Sequence, residues 1–209
     1  MSFKKVWDFI WKSDSWASWL VNIVLAFVII KFLFYPGIGL LMGTEYPVVA
    51  VVSESMEHRL NNNNGNYYMC GETFRNHRTF DFHEWWSVCG IWYEENTNIK
   101  KQQFSEFKFR NGLNTGDIVV AVGKKPEDIE IGDVIIYQSD RPIPIIHRVV
   151  DIDNVNGTYY FSAKGDNNAG FEPRLDEERI HEDRVLGVSS FRIPYLGQVR
   201  LLANRILGF

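Results

Sequence analysis

The chain has 209 residues, 45% of them hydrophobic and 23% charged, with a formal net charge of −4. That length holds one compact domain plus an appendage, and the composition excludes a disordered tail, a collagen-like fibre and a disulfide-dense miniprotein. A pI near 5.8, with no stretch that concentrates Lys and Arg, excludes nucleic acid as a partner.

The first segment, MSFKKVWDFIWKSDS at 1–15, places Phe3, Val6, Trp7, Ile10 and Trp11 at helical spacing. This cytoplasmic amphipathic segment is expected to lie along the inner membrane surface. Residues 16–34, WASWLVNIVLAFVIIKFLF, contain only Asn22 and Lys31 as strongly polar members. At about 1.5 Å per residue they match a hydrocarbon core of about 30 Å, and Lys31 can snorkel. Trp16, Trp19, Phe34 and Tyr35 stand where interfacial aromatics belong. A buried soluble helix of that length keeps a polar face, which this one lacks. A cleaved secretory signal has a shorter apolar core and a small-x-small site soon after it. The reading is therefore one transmembrane helix. Lys4, Lys5 and Lys12 precede it, whereas Glu45, Glu54 and Glu57 follow it ahead of Arg59. The positive-inside bias then gives a single-pass protein of the cell membrane, N-terminus cytoplasmic and the remainder extracytoplasmic. YPGIG at 35–39 is expected to break the helix.

From residue 45 to 194 the pattern changes to period two. β-rich runs lie at 46–52, 117–122, 133–138, 145–152, 158–163 and 184–193, separated by turns that include Gly116-Asp117 and Gly132-Asp133. Short strands without long intervening helices predict a mainly β, antiparallel domain. Residues 57–112 differ in character, with the tract Asn61 to Asn64 and twelve aromatics in 61–112. They read as an insertion with its own small core and no clear period. Cys70 and Cys89 both fall there; one disulfide between them, free thiols, and a zinc site with His77 and His83 are all open on the residues alone. Residues 195–209 are amphipathic and too charged to span, so they form a docking helix or a membrane-surface one.

VVSESM places Ser53 and Ser55 at the end of a run, two residues apart and so on one face. One hydroxyl can act as a nucleophile and the other as donor to an oxyanion, although a Ser-x-Ser pair leaving a strand is ordinarily turn chemistry. His147 lies within IIHRVV, on the opposite face to Ile146 and Arg148; a histidine in an apolar strand needs a partner. Asp166, in AKGDNN, follows another strand. Together they supply a hydroxyl to activate, a base that titrates near neutrality, and a carboxylate to orient it.

SESM, IIHRVV and KGDNN, in that order after a membrane span, resemble the motifs of type I signal peptidases. The His-Arg pair is similar to the archaeal and endoplasmic-reticulum type, where the bacterial type has Lys-Arg. The resemblance covers roughly residues 16–56 and 113–197 and leaves the insertion out. It implies a signal-peptidase-like antiparallel β catalytic domain that cleaves signal peptides from secreted preproteins at the membrane. No metal or organic cofactor is implied, and association with the protein translocation machinery is. Carried over by motif position, Ser55 is the nucleophile, His147 the general base and Asp166 the orienting carboxylate. Ser53 joins the backbone N–H of Ser55 in the oxyanion hole. Archaeal relatives carry a second acid six positions after the first, before a proline; here Glu172 stands there, with Asp176 as its substitute. His58 stands outside the motifs and Lys164 in the third rather than the second; both read as structural or substrate-proximal, and His181 as a solvated loop residue. The rival readings are a membrane-anchored binding module that uses the aromatic insertion, and a same-fold peptidase with other substrates.

Overall fold

A computed structural model describes residues 3–194; the amphipathic segment expected at 195–209 lies outside the described residues. The chain divides into two compact units, with the boundary between Glu45 and Tyr46.

In the first unit, α1 (Phe3–Lys12) turns into α2 (Trp16–Ile29), whose first turn is capped by the Ser15 side chain accepting from Ser18 N–H. The last carbonyls of α1 have no partner within their own helix. Ser18 Oγ donates to Phe9 O at 2.6 Å and Asn22 Nδ2 to Ile10 O at 2.9 Å. Asn22, the polar residue early in the apolar run, is thus spent on closing α1. The break expected at 35–39 does not occur. A π-helical turn, Ile30–Phe34, leads into α3 (Tyr35–Met42), and the helix ends at Gly43 in a left-handed conformation with φ 66°. Pro36 has no N–H to give Phe32 and its ring crowds that carbonyl; the wider turn accommodates both. The apolar helix therefore runs over 27 residues, Trp16–Met42, about 40 Å at a rise of about 1.5 Å. Among the described residues it alone is long and apolar enough to cross a membrane.

The second unit has the mainly β, antiparallel fold expected. Seven strands form one sheet in the order β1-β5-β10-β6-β7-β8-β9. They are β1 (Val48–Ala50), β5 (Ile118–Val122), β6 (Val134–Tyr137), β7 (Ile145–Val155), β8 (Thr158–Lys164), β9 (Ile180–His181) and β10 (Val185–Ile193). Bulges in β7 and β10 bend the sheet. The two Gly-Asp turns work through their glycines: Gly116 and Gly132 have φ 92° and 97°, a region that resists a side chain. Their N–H groups bond Val51 O and Val149 O, each at 2.9 Å. Ile135, Tyr137, Val149, Phe161, Ala163 and Ile180 bury the core of this sheet.

The insertion is not strand-like throughout. A small sheet of β2 (Asn61–Asn63), β3 (Asn66–Met69) and β4 (Glu72–Phe74) precedes α4 (Phe82–Asn96) and α5 (Lys101–Glu106). The asparagine tract makes a hairpin whose turn, Asn64-Gly65, has φ 53° and 85°. Asp81 and Glu84 close a reciprocal capping box on α4. Trp85, Trp86, Tyr93 and Phe104 are buried in one aromatic cluster. Cys70 and Cys89 are joined as a disulfide, which ties the hairpin to α4. The two histidines weighed with them as metal ligands stand elsewhere, His77 edge-on to Tyr67 and His83 against Phe82.

Candidate active site

Three loops and one strand converge. The chain leaves β1 through Ser53 and Ser55, whose hydroxyl oxygens are 3.0 Å apart. Met56 anchors this turn: it is buried beside Val51, Leu113, Val119 and Val134, its carbonyl accepts from Leu113 N–H, and its sulfur lies 3.5 Å from Asp166 N. β7 pairs with β6 so that His147 lies opposite Ile135, and with β8 so that Arg148 lies opposite Lys164. Alternation along β7 sends these neighbours to different faces. His147 reaches Ser55, Nε2 to Oγ 2.9 Å, while Arg148 goes to Asp166.

The orienting carboxylate expected at Asp166 does not stand at His147. The group in contact with His147 Nδ1 is Glu177 Oε1, and neither atom has another partner among the described residues. His147 and Glu177 are 2% and 0% exposed. Asp176, at φ 53°, turns the chain so that Glu177 points inward, and Ala163 N–H bonds the Glu177 carbonyl at 2.8 Å. In the tautomer that carries its proton on Nδ1, facing Glu177, the Nε2 lone pair is left for the Ser55 hydroxyl. Nothing in LDEER singles out Glu177, because burial of one charged residue among four leaves no mark on the pattern.

Asp166 is buried among donors instead. Oδ1 accepts from Arg148 Nε (2.9 Å) and Tyr93 Oη (3.0 Å); Oδ2 accepts from Arg148 Nη2 (2.7 Å) and His58 Nε2 (2.9 Å). The remaining Arg148 donors reach Lys108 O, Gly132 O and Phe109 O, so every guanidinium N–H is used. Burial opposes the Asp166 charge, but Arg148 and His58 outweigh it and hold the carboxyl well below the usual range. His58 lies flat on Trp85, ring centroids 3.6 Å apart, and burial lowers its pKa against the pull of Asp166. Lys164 is buried, donates to Gly165 O at 2.9 Å, and faces the rings of Trp92 and Tyr93; burial pulls it down to about 8.

The second acid expected at Glu172 does not reach the histidine either. Its side chain is exposed on the cleft rim, and its backbone N–H donates to Glu177 Oε2. Asp176, its expected substitute, pairs with Arg184 at 3.3 Å. Asn167 was hidden inside a motif that read as a turn. Its N–H donates to Ser55 O at 2.7 Å, and its side-chain amide reaches Glu54 O, Arg59 O and Asn61 Oδ1.

Ser53, Ser55 and His147 open on a cleft of about 430 Å³ whose apolar lining includes Val52, Pro142, Ile143, Ile145 and Leu175. A hydroxyl bonded to a histidine that is backed by a buried carboxylate, at the end of such a cleft, is equipped for acyl transfer. Glycine is required beside it: a Cβ at Gly165 would meet His147 Nε2 at 2.8 Å and Ser55 O at 2.9 Å.

No family model matches the chain. Among curated proteins it is 36% identical over 78 residues to the signal peptidase complex catalytic subunit sec11 of Schizosaccharomyces pombe, covering 35% of this chain and 41% of that one. To the catalytic subunit SEC11C of Homo sapiens it is 30% identical over 97 residues, 44% of this chain and 50% of the other. To the catalytic subunit SEC11 of Lachancea thermotolerans it is 34% identical over 93 residues, 41% and 55% respectively. The chain thus spans about half the length of the curated relatives it matches. Through these stretches, the chain is similar to signal peptidase complex catalytic subunits.

Proposed function

We propose that the chain is a membrane-anchored serine endopeptidase that removes signal peptides from secreted preproteins through an acyl-enzyme on Ser55. The observation that carries this reading is the contact series Ser55 Oγ, His147 and Glu177 at the end of an apolar cleft. Its likeness to signal peptidase catalytic subunits supports the substrate class. An extended substrate segment enters the cleft beside β1, an edge strand of the sheet, and pairs with its free side. Ser55 Oγ attacks the scissile carbonyl as His147 Nε2 takes its proton, and Glu177 stabilises the resulting imidazolium. Ser53 Oγ, 3.0 Å from Ser55 Oγ, and the Ser55 N–H receive the developing oxyanion. His147 then protonates the leaving amine, and water activated by the same nitrogen releases the acyl group. Glu177 takes the orienting role that the motif position assigns to Asp166.

The span Trp16–Met42 holds the chain in the membrane, with Lys4, Lys5 and Lys12 on the cytoplasmic side and the β unit on the other. On this reading, preproteins and the protein translocation machinery are its partners. Cleavage of a preprotein by the full chain in detergent tests the reading. Wild type is expected to cut at a single site, and Ser55→Ala and His147→Ala to be inert while folding normally. Cleavage undiminished in Ser55→Ala, or wild type inert on every preprotein with Ser55 unreactive toward a fluorophosphonate, would refute it.

A further inference from the structure

The insertion 57–112, which the motif resemblance leaves out, contributes nothing to the cleft: its lining comes from 50–56, 141–147 and Asn168, Glu172 and Leu175. It grips the turn Gly165–Asn168 instead. Tyr93 Oη on α4 donates to Asp166 Oδ1 at 3.0 Å, His58 Nε2 meets Oδ2 at 2.9 Å, and Cys70 N–H donates to Asn167 O at 3.2 Å. Cys70 is in turn bonded to Cys89, one turn before Tyr93 on the same helix. On its other side the turn holds the nucleophile, because Asn167 N–H carries the Ser55 carbonyl at 2.7 Å.

We infer that Tyr93 is a positioning residue for the Ser55 nucleophile, acting through Asp166 and the Gly165–Asn168 turn, with the Cys70–Cys89 disulfide locking its helix to that turn. The inference rests on the peptidase reading for its consequence in rate, and on the hydrogen bonds alone for its consequence in structure. A fully buried tyrosine in an aromatic cluster needs no hydroxyl for packing; here the hydroxyl is aimed at a carboxylate that Arg148 already neutralises. The bond adds direction to that carboxylate, and hence to the backbone of the two residues after it. Small displacements of a nucleophile are costly, about 100-fold in rate for about 1 Å. Since the insertion does not line the cleft, the loss falls on turnover and leaves substrate binding alone.

The test uses the full chain in detergent with two measurements, preprotein cleavage kinetics and amide hydrogen exchange of the peptide containing Asn167. Tyr93→Phe is expected to lower kcat about tenfold with KM unchanged, and to speed exchange at Asn167 about tenfold. Trp86→Phe, in the same aromatic cluster but without a bond to Asp166, is expected to lower the thermal midpoint and leave both readouts at wild-type values. Cys70→Ala/Cys89→Ala repeats the test from the other end of the grip, with the Tyr93 hydroxyl intact and the same pair of changes expected. Wild-type kcat and wild-type exchange in Tyr93→Phe overturn the inference, as does a loss of kcat in Trp86→Phe equal to that in Tyr93→Phe. A wild-type chain that cleaves no preprotein and whose Ser55 is unreactive toward a fluorophosphonate refutes the peptidase reading, while the exchange arm still decides the positioning.

Discussion

Replacing Glu177 by Gln keeps the size and shape of the side chain and removes its charge. Glu177 and His147 are 0% and 2% exposed, and their facing atoms have no alternative partner among the described residues, so water cannot take over the lost interaction. In the proposed reaction His147 becomes an imidazolium as Ser55 attacks. Two opposite unit charges about 4 Å apart attract by about 4 kcal/mol at an effective dielectric of about 20. The variant's amide oxygen still accepts Nδ1–H, which returns about 1 kcal/mol. The remaining loss of about 3 kcal/mol corresponds to roughly two decades of rate at about 1.4 kcal/mol per decade. Single-turnover cleavage of a preprotein in detergent is the assay, with Glu172→Gln alongside. Glu177→Gln is expected to slow cleavage about 100-fold, and Glu172→Gln, exposed on the rim, by no more than a few-fold. A wild-type rate for Glu177→Gln combined with a hundredfold loss for Glu172→Gln would refute the role given to Glu177 and move it to the second-acid position, Glu172.

Asp166→Asn leaves the fully buried Arg148 guanidinium without its counter-charge, so it is expected to cost about 3–5 kcal/mol in denaturant unfolding; a loss below 1 kcal/mol would deny the ion pair its structural role. Lys164 has its folded-state pKa lowered by burial to about 8, so the unfolded chain binds that proton first as pH falls from about 10.5. Stability is therefore expected to rise between pH 8 and 10 by at most about 1.4 kcal/mol per unit, and Lys164→Met to abolish that rise in parallel denaturation curves. The Cys70→Ser/Cys89→Ser chain opens a loop with a sequence separation of 19 and is expected to lose about 3 kcal/mol, read as a lower denaturant midpoint; an unchanged midpoint would mean that the aromatic cluster alone holds the insertion.

The sheet was legible because its signal is local. Period-two runs between turn glycines mark β5 through β8 and β10, and those strands fall where the pattern places them. Helix α4 was not, because apolar residues also stand off its buried face, with Ile91 exposed and Val88 and Trp92 half-buried, and these blur the stripe of Trp85, Trp86, Cys89 and Tyr93. Its capping pair, Asp81 and Glu84, was the readable sign. The helix continuing through Pro36 followed from the same limit, since a proline marks a break unless the preceding turn widens, and that widening is not written in the residue types. At the site, Ser55 and His147 stand in sequence motifs and also in contact, whereas the partner of His147 depends on the register of β7 against β8. That register sets Arg148 opposite Lys164, so Asp166, two residues beyond Lys164, follows Arg148 rather than the histidine. Glu177 enters through a left-handed residue in an irregular segment, which no periodicity reports.

The division of labour between the two buried carboxylates follows from the donors around each. Asp166 accepts four hydrogen bonds, two of them from a guanidinium, and these hold its carboxyl well below the usual range despite burial. A carboxylate satisfied to that degree gains little from a further cation and is suited to holding a loop. Among the described residues the Glu177 carboxylate meets the Glu172 N–H and the histidine, so most of its interaction energy is available when His147 gains a proton in the proposed reaction. The charges balance on the same terms. Two buried carboxylates, Asp166 and Glu177, face two buried cations, Arg148 and Lys164. The proposed attack by Ser55 creates an imidazolium and an oxyanion together, a pair of opposite charges that leaves this balance unchanged. Around the buried His147 and Glu177, separated charges of opposite sign are stabilised by oriented dipoles, whereas a net charge would carry the cost of burial. In the proposed reaction, Lys164 and Asp166 act without touching the reacting atoms: they keep the electrostatic background level while Glu177 responds to the proton.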